Sequence, residues 1–271
     1  MLFYGMSQGS PRMSHRVFLT PFTDRLFAVA LPVALLIGGW ELAVQSEAFS
    51  DAILVPPQRV FETFVELMKS GELGGHLRAS LLRVLAGFSI GGAIGLIFGL
   101  LLGLLPGFER ASGVIFHALR QVPVIAWAPL LLIVLGIGES FKIVVIAYAA
   151  LFPVALNTLD GVRNVPAPLR DVATLFQFSR AALIRYVVLP GALPSILTGF
   201  RLALSRSWMM VVAAELFASS EGLGYMMNLA REMFQIDVIM VGIVLTGLIG
   251  FLFDQLLRVI EARFSPWMPK P

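Results

Sequence analysis

Cysteine is absent from the 271 residues, which excludes disulfides, thiolate metal sites and cysteine nucleophiles together. Charge is scarce as well: Asp, Glu, Lys and Arg make up 14% of the chain, against about a quarter in an average soluble domain. The histidines, His15, His76 and His117, are scattered without zinc-ligand spacing, so each reads as a surface or packing residue. No G-x-x-x-x-G-K-[ST] occurs, so the chain has no P-loop of its own. Neither a catalytic residue nor a metal-ligating set is visible.

Apolar residues fill the space these absences leave. They make up 58% of the chain, with 25 Gly and 16 Pro, and the mean hydropathy is +0.86. One soluble core cannot hide this much apolar surface, whereas a bilayer can. The net charge of +3 suits loops facing an anionic leaflet and not a nucleic-acid surface.

About 20 apolar residues cross about 30 Å of hydrocarbon. Six stretches qualify, near 26–44, 81–105, 114–135, 141–159, 193–217 and 238–260. The third is interrupted by Pro123 and Pro129, and the second carries a single charge, Arg83, at its edge. The expected fold is an all-α integral membrane protein. A polar arm (1–25) precedes a transmembrane domain (26–265), and a short tail (266–271) follows it. Six spans put both termini on one side. Lys and Arg cluster in the arm, the even-numbered connections and the tail, which places both termini in the cytoplasm. The outer segment 45–76 is acidic, and Pro56-Pro57 introduces a helix-like run at 60–68.

Two patterns stand out within the spans. Gly87, Gly91, Gly95, Gly99 and Gly103 recur every four residues and form one slowly winding stripe, which lets another backbone approach closely. Arg206 sits near the middle of the fifth span, where a charge costs at least about 2.5–3.5 kcal/mol, and Arg120 lies inside the third. Arg201, Trp208 and Glu215 share one stripe of the fifth span at seven-residue spacing. Arg120, Arg201 and Arg206 are therefore candidates for an anion pathway. The competing expectation is that they pair with Glu215, Glu41 or helix-end carbonyls and hold the bundle together.

The segment 160–189, between the fourth and fifth spans, is too polar to cross. Pro166 and Pro168 suit a helix start, after which Leu169, Val172, Ala173 and Phe176 fall on one apolar face. Arg170, Asp171 and Thr174 lie opposite. Ser179 is placed to cap a second short helix to about Tyr186, with a stop at Leu189-Pro190.

This segment resembles the inner-loop motif of ATP-binding-cassette importer permeases: E-A-A, three residues, G, nine residues, I-x-L-P. Here Asp171-Val172-Ala173 is followed after three residues by Gln177, and after nine more by Val187-Val188-Leu189-Pro190. The spacing matches, while Asp, Val and Gln depart from the motif's identities. The resemblance continues through Arg120-Gln121-Val122-Pro123, Ala126-Trp127-Ala128-Pro129-Leu130, Gly136-Ile137-Gly138-Glu139, Phe152-Pro153 with Asn157-Thr158, and Leu189-Pro190-Gly191-Ala192. It extends to Arg201-Leu202-Ala203-Leu204, Glu215, Gly222-Leu223-Gly224-Tyr225 and Ala230-Arg231-Glu232. Over roughly residues 25–265 the chain is similar to the branch importing aliphatic sulfonates, taurine or nitrate.

The resemblance implies a type I importer permease, paired as a homodimer in the bacterial inner membrane. ATP and Mg would be bound by two separate cassette subunits, with no cofactor in this chain. A periplasmic or lipid-anchored binding protein would deliver the substrate, an aliphatic sulfonate first and taurine or nitrate next. Carried over by position, the contacts with the ATPase are Arg170, Asp171, Ala173, Thr174 and Gln177. Where the motif's Gly permits a positive φ, a residue with a Cβ costs about 1 kcal/mol or more. Either the turn at Gln177 takes another geometry or the cost is tolerated. The alternative from another class is an ion-coupled secondary carrier, which would need a titratable carboxylate at mid-membrane, and Glu215 is its only weak candidate.

Overall fold

The glycine stripe finds its partner in a computed structural model that describes residues 22–46 and 54–264. The arm and tail expected at 1–25 and 266–271 lie almost entirely outside the described residues. The chain divides into two units, residues 1–57 and 58–271. The first holds helix α1, Phe22–Gln45, whose Trp40 indole N–H donates to Val55 O at 3.0 Å.

The second unit begins with α2, Pro57–Lys69, which matches the run read at 60–68. Gly71, at φ 79°, turns the chain into α3, Glu72–Leu104. At 33 residues, α3 rises about 50 Å, far more than a bilayer's apolar thickness. Helix α6, Glu139–Arg163, lies along it. A Cβ on Gly91, Gly95 or Gly99 would strike the α6 backbone at Ala147, Leu151 or Ala155, and one on Gly87 or Gly103 would strike Ile146 or Val162. All five glycines thus face one helix, at a separation that no larger residue permits.

Helix α6 is packed on its other side too. Gly161 and Gly199 bring it against α9, Leu189–Ala218, with the missing Cβ positions within 3.0 Å of Ser195 and Asn157 Cβ. Half of its most apolar window is buried, which makes α6 the middle of a three-helix layer. Helix α11, Ile236–Phe264, covers α9. Its Thr246 carbonyl accepts from the Trp208 indole at 2.8 Å, and Phe253 packs edge-on to the Trp208 ring.

The third span is not a straight helix. Helix α4, Pro106–Leu119, and a segment formed by a 3-10 turn at Val124–Trp127 and α5, Ala128–Leu135, meet at 88°. Pro123 explains the break, because its ring forces Val122 out of the helical region and it has no N–H to donate. Among the described residues four helices, α3, α6, the helix ending at Ala218 and α11, are long and apolar enough to cross a membrane. The bent pair makes a fifth, and residues 31–45 of α1 form a shorter apolar helix.

The fourth-to-fifth connection is narrower than 160–189, because α6 continues to Arg163. Helix α7, Ala167–Leu175, forms there. Ser179 caps α8, Arg180–Leu183, accepting from the Ala182 N–H at 3.2 Å. The expected stop at Leu189-Pro190 does not occur. A π turn at Ile184–Val188 carries α8 straight into α9, and one helical path runs from Arg180 to Ala218. The wider turn makes room for Pro190, whose ring would otherwise clash with the carbonyl four residues earlier. Helix α10, Leu223–Glu232, closes the opposite end of the bundle.

Candidate functional site

At the α6–α9 end, arginines close the helix C-termini. Arg170 Nη2 donates to Val162 O at 2.7 Å and to Arg163 O at 3.3 Å, and Arg180 Nη2 donates to Leu104 O of α3 at 3.2 Å. Arg163 pairs with Glu109 of α4. Cations at the carbonyl ends of helices answer both the unpaired acceptors and the macrodipole. Arg170 is therefore turned toward its own helices, whereas Asp171, Thr174 and Gln177 are exposed and Ala173 is buried.

Gln177 settles between the two expected geometries. Its φ is 52°, so the left-handed turn is made by a residue with a Cβ. The Phe178 N–H donates to Ala173 O and the Gln177 N–H to Thr174 O, both at 3.0 Å. These are the two bonds of a Schellman closure, the motif that calls for glycine at this position. Thr174 Oγ1 back-bonds to Arg170 O at 2.9 Å. The expected apolar face splits. Ala173, Leu169 and Val172 line a groove of about 430 Å³ with Phe178, Tyr186, Val187, Pro190 and Gly191, while Phe176 is 73% exposed.

The intramembrane arginines separate into two kinds. Arg201 faces α11, with its Nε 3.2 Å from Glu261 and its Nη1 3.8 Å from Asp254. Arg120 and Arg206 converge on one cavity of about 270 Å³, together with Tyr148, Phe152, Met209 and Met210. Helix geometry accounts for the meeting. The 14 residues of α4 rise about 21 Å, and the path along α9 from Leu189 to Arg206 rises about 26 Å, from the same end of the bundle. Neither arginine has an ion-pair partner among the described residues.

A cluster at the opposite end was not legible as a site. Arg83, read as an edge charge, is 3% exposed. Its guanidinium donates to both oxygens of Glu139 at 2.8 Å, to Glu215 Oε1 at 2.8 Å, and to the carbonyl and carboxylate of Glu221 at 2.8 and 3.1 Å. Lys142 is buried beside Glu139 and donates to Ser219 Oγ at 3.2 Å. Glu215 also accepts from the Ser80 hydroxyl at 2.8 Å and from the Gly224 N–H at 3.0 Å. The first N–H groups of α10 are met in turn: Gly222 by His76 Nδ1 at 3.0 Å and Leu223 by Ser80 Oγ at 2.9 Å. A helix start that is short of acceptors is thus closed by side chains of α3 and α9. Gly222, at φ 112°, leaves no room for a Cβ beside the Glu215 carboxylate. The signal available in the sequence was Glu215 preceding Gly222-Leu223-Gly224, a carboxylate just before a tight glycine turn.

Comparison with known proteins places this architecture. A family model for binding-protein-dependent transport system inner membrane components matches residues 91–266. SsuC of Escherichia coli (strain K12), named for aliphatic sulfonates transport, is 42% identical over 253 residues, covering 92% of this chain and 96% of its own. TauC of the same strain, a taurine transport system permease protein, is 36% identical over 240 residues, 87% of either chain. NrtB of Synechocystis sp., a nitrate import permease protein, is 28% identical over 265 residues, 94% of this chain and 95% of its own. Among solved structures, a chain of the inward-facing MetNI methionine ABC transporter superposes with a TM-score of 0.56 at 22% identity, covering 72% of this chain and 98% of that one. That likeness concerns the fold.

Proposed function

The chain belongs to the family of binding-protein-dependent transport system inner membrane components, and on that premise we propose that it forms the membrane pathway of an ATP-driven importer for a small organic anion. Its fold is that of the type I importer permeases, and the chain is a multi-pass membrane permease. Aliphatic sulfonate is the first candidate substrate, with taurine and nitrate next, because relatives named for those three cover most of the chain. The working assembly is two copies of this chain, two ATP-binding cassette subunits on the cytoplasmic side, and a periplasmic or lipid-anchored binding protein. Hydrolysis belongs to the cassette subunits, since this sequence contains no P-loop.

The observation that carries this reading is the shape of the α6–α9 connection. Helix α7 and its left-handed turn at Gln177 present Asp171, Thr174, Leu175 and Phe176 outward. The π turn then joins α8 to α9 without a break. A push on α7 reaches α8 through the hydrogen-bonded turn at 176–179, and from α8 it enters the fifth span along one helical path. We assign this end to the cytoplasm on the Lys/Arg count of the sequence, which leaves the Arg83 cluster for the outer end, where a binding protein would dock.

The test is capture of the cassette ATPase encoded with this permease by the purified, lipid-embedded chain. Asp171→Lys reverses an exposed charge without touching the bundle, and it is expected to abolish capture while leaving the thermal midpoint unchanged. Undiminished capture by this variant removes the connection from the ATPase contact.

A further inference from the structure

We propose that the cavity between Arg120 and Arg206 is a holding site for a small oxyanion bearing a short apolar tail. This rests on the importer reading above and adds to it where along this chain the cargo pauses, and which groups receive it.

The four arginines within the spans differ in their partners. Arg83 is surrounded by Glu139, Glu215 and Glu221, and Arg201 by Glu261 and Asp254. At these two positions within the spans a carboxylate meets the arginine, whereas Arg170 and Arg180 at the α6–α9 end meet helix-end carbonyls. Arg120 and Arg206 come from different elements, one at the end of α4 just before the 88° bend and one in the middle of α9. They reach the same cavity with no carboxylate between them. Two unneutralised guanidiniums at mid-span are costly in a membrane and draw in an anion. Their planar forks suit an oxyanion with several acceptor oxygens.

The remaining lining gives the ligand its second half. Phe152, Val124, Met209 and Met210 are apolar, and methionine adapts to tails of differing length. Tyr148 stands at the junction. Its hydroxyl donates to Leu119 O at 2.8 Å, which pins the phenol to the turn carrying Arg120, and its ring packs edge-on against Phe152. The Trp127 indole, beside Tyr148, has an Nε1 with no acceptor among the described residues. At about 270 Å³ the cavity falls near the lower bound of small-molecule pockets, ~300 Å³, which admits a short alkyl chain. A head with two charges above it and an apolar floor below it describes an alkyl oxyanion. A bare inorganic anion would leave the floor unused.

The experiment measures binding of radiolabelled butane-1-sulfonate to the full-length chain in lipid nanodiscs, with inorganic sulfate and butan-1-ol as competitors. Saturable binding is expected, displaced weakly by sulfate and not by the alcohol. Arg120→Gln and Arg206→Gln are each expected to weaken it about tenfold or more, as for a lost charged hydrogen bond. Arg206→Lys should retain part of the affinity, and the surface change Arg231→Gln should alter nothing. Thermal midpoints of every variant separate lost binding from lost folding. No saturable binding by the unaltered chain, or unchanged affinity in both Gln variants, overturns the proposal.

Nanodiscs with and without phosphatidylglycerol distinguish the two sources of an oxyanion. If the Gln variants lose only a phosphatidylglycerol-dependent stabilisation and bind the sulfonate normally, the arginines hold lipid headgroups and the cargo site is overturned. Failure here with ATPase capture through Asp171 intact leaves the importer reading standing. Sulfonate binding without ATPase capture sinks that reading and, with it, the role of the cavity in import.

Discussion

Three carboxylates, those of Glu139, Glu215 and Glu221, converge on the Arg83 guanidinium, and only Glu215 has no route to water: its side chain is 0% exposed, against 56% and 60% for the others. The two exposed pairs are each worth about 0–1 kcal/mol, so the stability of the cluster rests on the buried one. Arg83→Met removes the cation paired with Glu215, and the remaining Ser80 and Gly224 donors do not neutralise it. A loss of about 3–5 kcal/mol is expected, read as a lowered thermal midpoint of the purified protein in lipid. Glu215→Gln is expected to cost less, because Arg83 keeps two carboxylates, and the double variant should recover part of the Arg83→Met loss. Strictly additive effects would mean that the buried pair does not couple. Gln177 poses the reverse case. Gln177→Gly relieves about 1–2 kcal/mol of left-handed strain and returns roughly 0.5–1 kcal/mol of it as unfolded-chain entropy. Amide exchange across residues 174–180 should therefore slow slightly, and faster exchange would refute a strained turn.

Among the elements, α3 is the one whose packing the sequence displayed openly, because five glycines at a four-residue period have one physical use in a bilayer. Gly91→Leu is expected to break the contact with Ala147, costing more than the ~1–3 kcal/mol of an ordinary overpacked core, since backbone and not side chain stands in the way. Gly107→Leu, with open space at its Cβ, should leave the stability within about 0.5 kcal/mol, and an equal loss from both would refute the close approach. The other elements were legible to differing degrees, for reasons of range. Apolar runs disclose where α6, α9 and α11 cross, and Ser179 marks the start of α8. The course of the chain at Pro123 and at Pro190 depends on what surrounds each proline: one bends the span through 88°, while a π turn absorbs the other. Arg83 was read as a boundary charge because hydropathy counts residues along the chain and cannot register carboxylates arriving from α6, α9 and the turn before α10. Arg120 and Arg206 were legible singly, as costly charges. Their convergence was not, for it depends on the rise of two helices measured from a common end.

For residues 58–264 as a whole, the energy source proposed above can be set against how the intramembrane carboxylates are spent. A carrier driven by a proton or cation gradient needs an acidic group that can load and unload within the span. Glu215 is held by Arg83, Ser80 and Gly224. Asp254 pairs with Arg258 and faces Arg201, and Glu261 is held by Arg201 and Thr198. Each is engaged by a cation in this structure, unlike the unpaired carboxylate that a proton-coupled carrier calls for. The part of the bundle offered for outside work is instead the exposed helix α7, which the turn at 176–179 joins to the continuous α8–α9 path. Proteoliposomes containing this chain alone, under an imposed proton or sodium gradient, are therefore expected to accumulate no labelled sulfonate. Vesicles that also contain the cassette ATPase, with ATP inside and binding protein outside, are expected to accumulate it until the ATP is exhausted, and Asp171→Lys should hold them at the level of the chain alone. Gradient-driven accumulation by the lone chain would show that one of these carboxylates does exchange its proton, and that the connection is not where the energy enters.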